Sequence, residues 1–173
     1  MVSRRRALFI GRFQPFHLGH LEVVRAIASD FEVVIVGIGS AQESHTPDNP
    51  FTAGERHLMI QASLDAAGIR NYVVVPIVDV GRNALWVSHV AALVPPFEVF
   101  FSNNALPRRL FAEAGYQVQE APFYERARYS GTLVRERMLG GGPWRELVPK
   151  EVVAVVEEVR GLDRIRELAV TDE

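Results

Sequence analysis

Cysteine is absent from this chain, and lysine occurs once, at Lys150, among 19 basic residues. Without cysteine there can be no disulfide, no thiolate nucleophile and no sulfur-ligated zinc or iron–sulfur site. The one lysine lies in "VPKEVV", behind no glycine-rich turn, so a P-loop that grips a nucleoside triphosphate through its lysine is excluded. Any cationic phosphate clamp must be made of arginine. Long apolar runs are missing too: "VVIVGIG" falls far short of the roughly 18 residues a membrane span needs. "MVSRRRALFIGRF" starts like a signal peptide, but Gly11 and Arg12 interrupt its apolar part after four residues, so no export signal is expected. The net charge of −2 provides no broad basic field. Neither nucleic acid nor a membrane is therefore an expected partner, and any bound phosphate must be met locally. A cytoplasmic protein is expected.

With 48% hydrophobic and 23% charged residues over 173 positions, the composition is that of a soluble globular protein. This length suits one domain over residues 1–173, its last part, about 149–170, being a helical extension packed on the rest. Five β-branched or apolar runs, "ALFIG", "EVVIVGIG", "YVVVPIV", "EVFFS" and "YQVQE", read as strands buried on both faces. Helical periodicity falls between them at about 18–29, 53–67, 84–94 and 105–114. The alternation predicts an α/β fold with a doubly wound parallel five-stranded sheet. Thr52 and Glu55 have capping-box spacing at the start of the second helix, and Gly68 closes it. A later helix is stopped by Gly140 to Gly142, and the tail from Pro149 reads as two short helices split at Gly161.

"GRFQPFHLGH" follows the first strand, at the kind of strand-to-helix connection where open α/β sheets bind ligands. His17 and His20 then sit at the positive end of a helix dipole, where an imidazole can donate to an anionic oxygen. A zinc site would need a third ligand, and no histidine or carboxylate cluster flanks the pair. No metal-binding residue is assigned.

"GRFQPFHLGH" resembles the signature of the nucleotidylyltransferase superfamily, Gly-x-Phe-x-Pro-x-His-x-Gly-His, at every specified position. The second signature, Ser-x-Thr-x-x-Arg, is matched by "SGTLVR", Ser130 to Arg135. "GSAQ", "NPFTAGER", "NALWVSH" and "RYSGTLVRERML" resemble the archaeal type of nicotinamide mononucleotide adenylyltransferase, from about residue 7 to 148. The resemblance implies a Rossmann-like fold with C-terminal helices. It implies transfer of AMP from ATP to nicotinamide mononucleotide, giving NAD and pyrophosphate, with Mg2+ carried by ATP. A homo-oligomer, commonly a hexamer, is implied as well.

By the same resemblance His17, His20, Arg12 and Arg135 carry catalysis, His20 at the α-phosphate and Arg135 at the β- and γ-phosphates. Gly11, Phe13, Ser130, Gly131 and Thr132 line the triphosphate site. Val80, Asn83 and Trp86 receive the nicotinamide nucleotide, Ser40 reaches a phosphate, and Asn104, with "FYERARY" nearby, faces adenine. Taken alone, Ser130 reads first as a helix cap and Trp86 first as core. One departure stands out: "SHTPDNPFTAGER" has no arginine where archaeal relatives tend to carry one before "DPFTAGER". Weaker affinity, or compensation by Arg56 or Arg82, is expected. Three alternatives stay open: transfer to a flavin, pantetheine or polyol phosphate, a non-catalytic nucleotide sensor, and a flavodoxin-like redox carrier.

Overall fold

A computed structural model describes residues 5–122, 125 and 127–170. Five parallel strands, β1 (Arg6–Gly11), β2 (Val33–Ile38), β3 (Tyr72–Pro76), β4 (Val99–Phe101) and β5 (Gln117–Gln119), pair in the order β3-β2-β1-β4-β5. The helices are α1 (Leu18–Asp30), α2 (Ala53–Ala66), α3 (Asn83–Leu93), α4 (Ala105–Glu113), α5 (Gly131–Gly140), α6 (Lys150–Glu158) and α7 (Gly161–Leu168).

Side chains alternate across each strand, so the central strands feed two cores. Ala7, Phe9, Val34, Val36, Val99 and Phe101 meet α1, α2, α5 and α6 on one face. Leu8, Ile35 and Phe100 meet Val90 of α3 and Phe111 of α4 on the other. Burial on both faces explains the unbroken apolar runs of β1, β2 and β4. That expectation fails for β3 and β5, which are the sheet edges: Val73 is 39% exposed and Gln117 and Gln119 point outward. An edge strand has only one neighbour, and its helical cover ends beside it.

Helix boundaries fall within about one residue of the periodicity-based ones. Thr52 Oγ1 accepts the Glu55 N–H at 3.1 Å, and the Glu55 carboxylate accepts the Thr52 N–H at 3.5 Å, so the capping box forms. Gly141, with φ +73, ends α5. The tail splits one residue earlier than expected, at Arg160 with φ +54, and Gly161 opens α7. A Cβ on Gly161 would lie 2.9 Å from the Phe51 ring, so the glycine serves close packing, not the break. A 3-10 turn at Trp144–Leu147, not foreseen, buries Trp144 and Leu147.

The order of strands reverses at β1, which pairs with β2 on one side and β4 on the other. A crevice therefore opens beyond the carboxyl ends of β1 and β4, and the β1–α1 loop lies in it.

Candidate active site

The β1–α1 loop is held by aromatic packing. Phe13, at φ +53 and 1% exposed, sets its ring against Phe9, Phe16 and His20. Gly11 makes room for that ring, since a Cβ there would approach it to 2.8 Å. His17 is the N-cap of α1 and His20 is its third residue. The His20 N–H donates to His17 Nδ1 at 3.3 Å, and the His17 N–H donates to His20 Nδ1 at 3.2 Å. The pair thus forms a capping box from two imidazoles, with rings stacked at 3.5 Å between centroids.

Using Nδ1 as an acceptor puts the proton of a neutral ring on Nε2, so each imidazole keeps one N–H for another partner. Among the described residues, His17 Nε2 is buried without an acceptor. Burial pulls the His17 imidazolium down to about 3, and burial, then the His17 charge, lower His20 well below its ordinary value. Both rings are neutral N–H donors at physiological pH.

His17 and His20 share a cavity of about 350 Å3 with Arg12, Phe13, Gln14, Ser130, Gly131, Thr132 and Arg135. The two signatures, far apart in sequence, are thus walls of one space. Arg135 Nη1 donates to the Gln14 carbonyl at 2.9 Å and Nη2 to Thr132 Oγ1 at 3.4 Å. Burial, offset by Asp48 and reinforced by Arg12, lowers its pKa. Ser130 caps α5, its Oγ accepting the Leu133 N–H at 3.1 Å, so the plain-cap reading holds for that oxygen. The first-turn amides of Gly131 and Thr132 keep no intrahelical acceptor.

Three further cavities continue from the first by shared walls. Gly11, His20, Asn104 and Ser102 line one of about 200 Å3. Gly11, Ser40, Asn104, Asp79 and Trp86 line the next, of about 320 Å3. Val80, Asn83, Trp86, Asp79 and Arg82 line the last, of about 380 Å3. All candidate residues therefore border one trough along the carboxyl edge of the sheet. Of the adenine-side stretch, Phe123, Tyr124 and Arg126 lie outside the described residues. A separate cavity of about 390 Å3 between α2 and β3, walled by His57, Asp65 and Tyr72, contains none of them.

Arg56 does not supply the missing cation. It is fully buried and every N–H is spent on backbone carbonyls, among them Arg12 at 2.8 Å and Gly39 at 3.0 Å. Burial lowers it to about 10, still charged at neutral pH. Arg82 lines the Trp86 end of the trough, away from the histidines. Sequence reasoning missed Gln14, 3% exposed, whose side-chain amide pairs with both backbone groups of Phe51 at 2.8 and 2.9 Å. It also missed Asp79, held by Gln42 at 2.8 and 2.9 Å. Neither has a local sequence signal, because both partners are distant in the chain.

The cytidylyltransferase-like family model matches residues 8–137, from β1 into α5, and so spans both signatures. A nicotinamide-nucleotide adenylyltransferase of Thermoplasma acidophilum is 55% identical over 175 aligned residues, covering 100% of this chain and 98% of that one. The chain belongs to the nicotinamide-nucleotide adenylyltransferases. A second adenylyltransferase of that name, from Methanolobus tindarius, is 51% identical across 97% of this chain and 96% of its own. The adenylyltransferase fold is seen again in a bifunctional NMN adenylyltransferase/ADP ribose pyrophosphatase from Francisella tularensis. That crystal structure superposes with a TM-score of 0.74 at 21% identity, and this chain, 95% covered, spans 53% of it.

Proposed function

We propose that this chain, acting as one domain, transfers AMP from ATP to nicotinamide mononucleotide, giving NAD and pyrophosphate. The observation that carries the reading is the pair of neutral imidazoles lining the same cavity as Arg135 and the first turn of α5. An oxygen of the acceptor's phosphate attacks the α-phosphorus, the bond to the bridging oxygen of the β-phosphate breaks, and pyrophosphate leaves with that electron pair. No enzyme nucleophile is needed. The protein has to align two anions and stabilise charge on the phosphoryl oxygens.

His20, common to the histidine cavity and its neighbour, would donate to the α-phosphate, with His17 beside it. Arg135 and the Gly131 and Thr132 amides would hold the departing phosphates, and Arg12 would bridge the two sides. Trp86 with Asn83 and Val80 would receive the nicotinamide, Ser40 the acceptor phosphate, and Asn104 the adenosine. Among the described residues that line the histidine cavity there is no carboxylate. Mg2+ would arrive with ATP, held by phosphate oxygens and waters, and would add charge neutralisation there. A cytoplasmic homo-oligomer, hexameric by resemblance, goes with this reading. No described helix is long and apolar enough to cross a membrane.

The test supplies ATP and Mg2+ with nicotinamide mononucleotide, its acid form, flavin mononucleotide or phosphopantetheine in parallel, and measures pyrophosphate. Release with the nicotinamide nucleotide is expected. Release only with the flavin or pantetheine acceptor overturns the assignment, and release with none favours a sensing role.

A further inference from the structure

Arg56 carries a full charge inside the protein, and among the described residues no carboxylate is hydrogen-bonded to it. Its neighbour in sequence, Glu55, is occupied by Arg164 at 2.8 Å. The guanidinium is satisfied instead by carbonyls of Arg12, Gly39, Ser40, Ala41, Glu43 and Thr52, at 2.8 to 3.4 Å. These carbonyls belong to two loops, β1–α1 and β2–α2, and to the start of α2.

The orientation of the carbonyls has a consequence for the amides. In a planar trans peptide the C=O and the following N–H point in opposite directions. Nη1 of Arg56 draws in the carbonyls of Arg12 and Gly39 together, so the N–H groups of Phe13 and Ser40 must point away from it. Among the described residues neither amide has an acceptor. Phe13 walls the histidine cavity and Ser40 the Trp86 cavity. Both residues are left-handed, at φ +53 and +46, a conformation that lets consecutive amides converge on an anion.

We propose that Arg56 is a positioning residue: by anchoring both loops at one guanidinium nitrogen it aims the Phe13 amide at the donor's phosphates and the Ser40 amide at the acceptor's phosphate. It touches neither substrate. The proposal rests on the adenylyl-transfer reading above.

The test compares wild type with Arg56→Lys, which keeps the charge but loses the fork that reaches two loops at once. Turnover per folded molecule is expected to fall about a hundredfold, the scale of a roughly 1 Å misalignment of reacting groups. Affinity for ATP alone should change less than about fivefold, because the histidines and Arg135 remain. Turnover within about threefold of wild type, or a loss that only tracks the folded fraction in thermal melts, overturns the proposal. A second measurement needs no variant: in the wild-type chain the amide proton of Phe13 should shift with ATP, and that of Ser40 with nicotinamide mononucleotide. If neither moves at saturation, the proposal falls. A wild type that binds ATP yet releases no pyrophosphate removes the underlying reading, whereas an active wild type with an equally active Arg56→Lys removes this proposal alone.

Discussion

The ring of His17 lies parallel to that of His20 at 3.5 Å, and each Nδ1 accepts the backbone N–H of the other residue. One interaction thereby caps a helix and sets the tautomer of two cavity-lining groups. Stability and chemistry are coupled at this point, and mutations here move both.

His20→Ala removes a donor and half of the capping box. Turnover, measured as pyrophosphate release, should fall about a hundred- to a thousand-fold, the scale of one lost preorganised donor. Unfolding free energy should drop by about 1 kcal/mol through the lost cap. His20→Asn, with an acceptor of its own, should recover stability and not turnover; wild-type turnover in either variant ends the assignment.

Acid should destabilise the fold through the same pair. Burial holds His17 near 3 and His20 well below its ordinary value, whereas both titrate near 6.5 when unfolded. The unfolded chain therefore binds protons first, so this contribution is complete above about pH 6.5 and is lost as pH falls toward 3. Urea denaturation from pH 7 to 5 should show a slope of up to about 1.4 kcal/mol per pH unit for each histidine. An identical slope in a variant with both histidines replaced by asparagine would refute this account.

Gly131→Ala should separate activity from stability. A Cβ at this first position of α5 would lie 2.8 Å from Arg135 Nη1, so the guanidinium must move off the Gln14 carbonyl. The backbone is not left-handed there, and alanine favours the helix by up to about 1 kcal/mol. An unchanged or raised melting temperature is expected, with at least a tenfold loss in kcat/KM for ATP, roughly the 1.4 kcal/mol of one weakened charge-assisted contact. Wild-type ATP kinetics would show that the position of Arg135 does not matter.

Trp86 stands edge-on to Phe111, 5.4 Å between centroids, and is only half-buried, so one face is available to the trough. Trp86→Ala should raise the KM for nicotinamide mononucleotide about tenfold, within the roughly 1 to 3 kcal/mol of stacking on an aromatic face. The KM for ATP should stay put. An effect confined to ATP would move the nicotinamide elsewhere.

Much of the fold was open to reading in one dimension because its signals are local. Buried strands such as "VVIVGI" and the Thr52–Glu55 cap need only neighbouring residues to be recognised. The edge strands misled, since "YVVVP" has the composition of a central strand and its exposure depends on which strand lies beside it. At the site, the motif histidines and Arg135 were recognisable, whereas Gln14 and Asp79 were not. Arg56 was given the wrong task, because its charge is visible in sequence but its burial is not.

By itself the chain of residues determined the chemistry available: arginine and histidine for phosphate, no thiol, no P-loop lysine, and helix starts ready to meet anions. Only the tertiary structure decided which of those groups lie together, carrying α5 across to the β1–α1 loop and turning Arg56 inward. The reason is physical. Propensity and capping act over a few residues, whereas burial, hydrogen-bond direction and pKa depend on what the fold brings within a few ångströms from far along the chain.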